Sequence, residues 1–247
     1  MTMIDFNTWK SRCHNVGDII PKEKGKGGHI TKIRELWIES RYEIKNEINS
    51  KYLDKGIACE SEGIEMLKQV FYPEGYYVSK NRLEIENDFI KGTPDVFLNS
   101  DDFVTDIKNA WDFTTLEKAE LSHNYYWQLV AYCWLTGKRK ARLFYSLNNM
   151  PDFLLSDLER KMFYSGNYVS MESNEFISDC EELRRQHNYD HLPIHEKFRY
   201  WEFDVTDEMI ETVKNAVIFA RNQMQEFEQK RDIEIQKNKE IMQLEAA

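Results

Sequence analysis

The sequence predicts an α/β protein with a central mixed β-sheet flanked by helices. Three observations predict it. Short β-rich runs near 76–86, 89–98, 102–109, 142–147 and 200–205 are interrupted by longer segments of helical apolar spacing. Gly and Pro punctuate the joins, as at Pro73, Gly75, Pro94 and Gly137. A length of 247 residues with 41% hydrophobic content and frequent aromatics is enough to bury a core in one large domain or two small ones.

Taken in order, residues 3–13 and 31–54 read as helices, separated by the glycine-rich loop that holds Gly25, Gly27 and Gly28. Residues 57–71 read as a third helix, with Ile57, Ile64, Leu67, Val70 and Phe71 near helical spacing. Three strands follow, and then helix 115–136, which Gly137 terminates. After the strand at 142–147, residues 148–198 read as a helical insertion with Pro151 and Pro193 near its ends. The last strand precedes Thr206, a good N-cap for a helix with the apolar stripe Met209, Ile210, Val213, Val217 and Ala220. Beyond about Gln229 the chain is charged and polar, either a fraying end or a partner-binding helix. The expected organisation is a single domain over 1–247. Its core covers about 31–147 and 199–228, its insertion about 148–198 and its helical tail about 229–247.

The chemistry concentrates in Gly-Thr-Pro-Asp at 92–95 and Thr-Asp-Ile-Lys at 105–108, which put Asp95 eleven residues before Asp106. Alternation in a strand projects Asp106 and Lys108 to one face and Ile107 to the other. If 93–95 leads into a neighbouring strand, Asp95 sits beside Asp106. Two hard oxygen ligands with room for water suit Mg²⁺ or Mn²⁺. Such a site suits phosphodiester hydrolysis, with Lys108 orienting the attacking water or stabilising the pentavalent phosphorus. The bland alternative is a surface hairpin with an ordinary salt bridge.

Two further segments add to this pair: Gly56 with Glu60 upstream, and Gln128 with Tyr132 downstream. In this order and spacing the four pieces resemble the PD-(D/E)xK nuclease superfamily. Within it the chain looks most like the lambda-type phage exonucleases, the YqaJ-like branch related to RecB-type nuclease domains. Gly56 and Glu60 resemble the helix-borne Gly-xxx-Glu. Asp95 resembles the motif Asp, Asp106-Ile107-Lys108 the (D/E)xK, and Gln128 and Tyr132 the Gln-xxx-Tyr helix. Asp106 stands where that branch more often has Glu. The resemblance covers roughly residues 50–150. It implies a restriction-endonuclease-like core in which Asp95, Asp106, the Ile107 carbonyl and Glu60 hold Mg²⁺ or Mn²⁺. It also implies that Gln128 and Tyr132 support Lys108 or touch substrate. The local alternatives are an exposed helix carboxylate for Glu60 and an aromatic core helix with one satisfied amide for Gln128 and Tyr132. A buried amide needs a partner in either case.

The implied activity is a metal-dependent DNA nuclease, an exonuclease of phage or prophage recombination. Its partners would be DNA, copies of itself in a ring-shaped trimer, and a single-strand annealing protein. The alternatives are a restriction- or defence-type endonuclease and a catalytically silent DNA-binding protein on the same fold.

Composition excludes several other classes. No run of 18 apolar residues suggests a membrane span. The first residues lack a basic stretch followed by an apolar one, so no signal peptide is expected. Cys13, Cys59, Cys133 and Cys180 are scattered with no Cys-x-x-Cys, which argues against structural zinc and against the iron–sulfur cluster of some superfamily relatives. Reduced thiols and a cytoplasmic location are expected. A net charge of −10 does not exclude DNA, because the distribution of charge decides. Lys22, Lys24, Lys26, Lys32 and Arg34 face one acid, Glu23, within 22–34. Lys138, Arg139, Lys140 and Arg142 face none. Each run is a candidate phosphate-binding segment or a solvated loop. In the first, the glycines permit close backbone approach, and Arg34 would lie in the first turn of the following helix.

Overall fold

The structure, a computed structural model, describes residues 5–22, 27–44 and 50–245. In chain order its elements are β1 (Ser11–Arg12), α1 (Val16–Ile19), α2 (Gly28–Tyr42), α3 (Lys51–Ala58), α4 (Glu60–Phe71), β2 (Ile85–Glu86), β3 (Ile90–Gly92), β4 (Val96–Phe97) and β5 (Phe103–Asn109). There follow α5 (Phe113–Glu117), α6 (His123–Thr136), β6 (Lys140–Ser146), α7 (Asp152–Ser165), α8 (Asn174–Gln186), β7 (Phe198–Asp204) and α9 (Asp207–Glu245).

The main sheet has the order β4-β5-β6-β7, with β5 and β6 parallel and both outer pairs antiparallel. This is the mixed sheet that the sequence predicts. One face is covered by α6, behind which α1, α2 and α9 pack. Leu129, Val130 and Cys133 of α6 meet Val104 of β5, Ala141 and Leu143 of β6, and Val213 and Val217 of α9 in one buried cluster. The other face is covered by α4, where Met66 and Leu67 meet Val96, Ile107 and Phe144. The two faces of β5 are thus apolar at Val104 and Ile107, and Asp106 lies on the α6 side.

Several expected elements are divided. Residues 3–13 are not one helix. Asp5 caps a short 3₁₀ turn, Phe6–Thr8, by accepting from the Asn7 N–H at 2.9 Å. The chain then enters β1, which pairs with Ile90 and Lys91. The expected helix 31–54 starts earlier, at Gly28, and stops at Tyr42, where Glu43 turns left-handed at φ 53°. Ser50 then caps a separate α3. Helix 57–71 breaks at Cys59 (φ −95°, ψ 11°), so Glu60 opens α4 rather than sitting inside a helix. Of 76–86 only Ile85–Glu86 is strand. The run 89–98 divides at Pro94, which has no N–H for a ladder, and its halves join different sheets. Helix 115–136 is two helices, each with its own side-chain cap, Asp112 and Ser122. Gly137, at φ 71°, ends α6 as expected. Residues 148–198, expected as a helical insertion, hold α7 and α8, and the charged tail continues α9 as far as Glu245. Among the described residues no helix is long and apolar enough to cross a membrane.

Candidate active site

The register of β4 on β5 pairs Val96 with Thr105, so one step back sets Asp95 opposite Asp106. Directly opposed residues share a face. Asp95 Oδ2 accepts the Ile107 backbone N–H at 2.8 Å, which fixes the carboxylate against β5. Asp106 is 2% exposed. Its Oδ2 lies 2.8 Å from Lys108 Nζ, the i, i+2 contact that strand alternation requires. Its Oδ1 accepts from Gln128 Nε2 at 3.2 Å. Gln128 also donates to the Tyr132 hydroxyl at 3.1 Å, one turn along α6. Gln128 is therefore a buried amide with two partners, one of them a candidate catalytic carboxylate. It supports Asp106 rather than Lys108. Tyr132 is 6% exposed, so it braces Gln128 and is shielded from solvent.

The backbone is held from behind. Gly92 lies under Tyr132 so closely that a Cβ there would stand 2.8 Å from Cys13 Sγ and 2.9 Å from Tyr132 Cε1. Asn81 anchors the acid-bearing turn: its N–H donates to the Asp95 carbonyl at 2.7 Å and its Nδ2 to the Pro94 carbonyl at 3.1 Å. Glu60 stands within electrostatic reach of Asp95 and is ion-paired with Lys80.

The charges interact strongly. Burial, then repulsion from Asp106, pushes the Asp95 carboxyl up to about 7, against the Ile107 hydrogen bond and Lys108; Glu60 adds to the repulsion. Burial acts to lower the Lys108 pKa, but Asp106 and Asp95 outweigh it and hold the amine above its usual value, as an ammonium. Its Nζ lies 4.9 Å from the centre of the Tyr125 ring, a cation–π distance.

Among the described residues no three carboxylate, His or Cys side chains converge as a ready metal cage. Glu60 is ion-paired with Lys80, and Asp106 with Lys108. The donor set nonetheless suits a hard divalent cation. Asp95, just before β4, and Asp106 of β5 are opposed carboxylates, and the repulsion between them is a strain that a bound cation would relieve.

The basic candidates separate. Lys22 is exposed beside an open cleft of about 600 Å³ that is also lined by Lys118, His123, Tyr125 and Tyr145, on the side of Tyr125 and hence of Lys108. Lys24 and Lys26 lie outside the described residues. Arg34 falls in the second turn of α2, not the first, because the helix begins at Gly28. Its guanidinium lies over the Phe227 ring at 4.8 Å, which makes it part of the α2–α9 packing. Lys138 donates to the Leu98 carbonyl at 2.8 Å and also to that of Asp101, tying down the β4–β5 turn. Arg139 pairs with Asp207 at 2.6 Å. Lys140 pairs in register with Phe103, about 10 Å along the sheet from Asp106. The three are therefore placed away from the carboxylates.

Sequence reasoning missed Lys80, Asn81, Tyr125 and Lys55. The first two lie in coil, inside a run that the sequence marks only as a strand. Tyr125 sits one turn before Gln128 on α6, a spacing that could have marked it. Lys55 is fully buried and donates to the carbonyls of Ala110, Trp111 and Asn148 at 2.8–2.9 Å, joining α3 to the ends of β5 and β6.

No protein-family model matches the sequence, and no curated protein matches it. Among solved structures, a phage-related exonuclease from Haemophilus somnus 129PT is similar with a TM-score of 0.70 at 19% identity, over 91% of this chain and 97% of that one. The alkaline exonuclease LHK-Exo from Laribacter hongkongensis is similar with a TM-score of 0.62 at 12% identity, over 94% of this chain and 95% of that one. Its complex with dAMP gives 0.61 and 13%, over 95% and 97%.

Proposed function

Since the chain carries the restriction-endonuclease-like fold of lambda-type exonucleases, we propose that it is a metal-dependent deoxyribonuclease that degrades DNA from an end. One observation carries the reading: Asp95, one residue before β4, opposes Asp106 of β5, with the Lys108 ammonium against Asp106.

Asp95, Asp106 and the Ile107 carbonyl would hold Mg²⁺ or Mn²⁺, joined by Glu60 once it leaves Lys80. When bound, the metal would lower the pKa of a water and offset charge on the phosphate. The remaining roles belong to the chain. Lys108, held protonated by its carboxylates, is a donor and not a base. It orients the attacking water and stabilises charge building on the phosphoryl oxygens. Gln128 keeps Asp106 in one rotamer, and Tyr132 keeps Gln128 in place. Tyr125 screens one side of Lys108. Lys22 and Lys118 line the adjoining cleft, where they suit backbone phosphates.

The experiment is degradation of linear duplex compared with supercoiled circles, in Mg²⁺ and in EDTA. Loss of linear DNA alone, abolished by EDTA, is expected. Nicking of circles would make the chain an endonuclease. Inertness towards both, with DNA still bound, would make it a binding protein on a nuclease fold.

A further inference from the structure

Lys80 belongs to no motif and no regular element, yet two independent contacts fix it beside the acids. Its ammonium is ion-paired with Glu60, the carboxylate that stands within reach of Asp95. Its chain neighbour Asn81 is bonded through backbone and side chain to the Asp95 and Pro94 carbonyls, so the segment runs alongside the acid-bearing turn. Both partners remain partly open to solvent, with side-chain exposures of 35% for Lys80 and 28% for Glu60. An ion pair so exposed is weak and easily exchanged for another.

We propose that Lys80 is a phosphate-contacting residue that also holds Glu60 back in the metal-free protein. This rests on the nuclease reading and deepens it. A divalent cation drawn to Asp95 and Asp106 competes with Lys80 for Glu60. When Glu60 turns to the cation, the Lys80 ammonium loses its anion at the mouth of the site. The anion that then approaches Asp95 and Lys108 is the phosphodiester. Lys80 passes from carboxylate to phosphate, so that metal loading and substrate capture favour each other. No bond is made or broken in this exchange.

The geometry predicts opposite signs for two binding equilibria in one variant. Lys80→Met frees Glu60 and should tighten binding of Mn²⁺ alone, measured by calorimetry without DNA, by about two- to fivefold, the worth of a partly exposed ion pair. The same variant should bind a linear duplex more weakly in Ca²⁺. It should also lower the slope of log affinity against log salt by about 0.7–0.9, the signature of one lost phosphate contact. Lys80→Arg, which keeps the charge, should return both measurements towards wild type, whereas a role for the aliphatic stem alone would leave Lys80→Met like wild type. Unchanged or weaker Mn²⁺ binding in Lys80→Met, or an unchanged salt slope, overturns the proposal. Those outcomes differ from failure of the nuclease reading, in which the wild-type protein itself would neither take up Mn²⁺ nor degrade linear DNA.

Discussion

Asp95 is the residue whose behaviour reports the state of the site. Burial and Asp106 hold its carboxyl up at about 7, whereas in the unfolded chain it would titrate near about 4. Below that lower value both states are protonated. As pH rises from about 4 to about 7, the unfolded chain ionises while the folded protein resists. The contribution of this carboxyl to stability is therefore full in acid and is lost as pH rises through the folded value. Asp95→Asn should remove that loss, so its melting temperature without metal should fall less steeply than wild type's across this window. Parallel melting curves for the two proteins would contradict the repulsion described here. Strand alternation alone makes Asp106 and Lys108 legible as a pair, and the turn residues Gly92 and Pro94 place Asp95 near them. Lys80 was illegible because its partner Glu60 lies twenty residues away across an irregular segment. Arg34, which is exposed, also lies over an aromatic ring on α9, a contact that its charge alone did not suggest.

Among elements, the break between α3 and α4 matters most, since it sets Glu60 at a helix start. Lys55 holds this corner. Its three hydrogen bonds fasten α3 to the chain just beyond β5 and β6, and burial lowers its pKa to about 8. Lys55→Met would fill the space but leave three carbonyls without a donor. The expected cost is about 3 kcal/mol, or a fall in melting temperature of about 6–12 °C for a protein of this size. Chemical denaturation with the midpoint and slope both measured checks it; a change below about 1 kcal/mol would show that the anchor is dispensable. Apolar periodicity located most helices and strands, but it ran α2 into α3, the end of α3 into α4, and α5 into α6. The caps that divide the first and last of these, at Ser50 and Ser122, act through one side-chain oxygen each, a signal that periodicity does not carry. The strand content of 3–13 was hidden for another reason: β1 exists only by pairing with β3, more than seventy residues later.

At the scale of the molecule, a chain of net charge −10 sets Asp95, just before β4, opposite Asp106 in the middle of β5 and lines the neighbouring cleft with Lys22, Lys118 and Lys108's aromatic cover. The buried cluster on the α6 side and the smaller one on the α4 side grip β5 from both faces, so Asp106 and Lys108 sit on a central strand covered on both sides. That layout was legible in outline from the order of the motifs. The second, three-stranded sheet was not, because its strands are two or three residues long. The central claim is that this centre hydrolyses DNA, and Asp106→Asn tests it most directly. Asparagine keeps the shape and an oxygen for the Gln128 donor while removing the charge that faces Lys108. The rate of linear duplex degradation in Mg²⁺ should fall by more than about a hundredfold, with duplex affinity in Ca²⁺ and the circular dichroism spectrum retained. Degradation within tenfold of wild type would contradict the account.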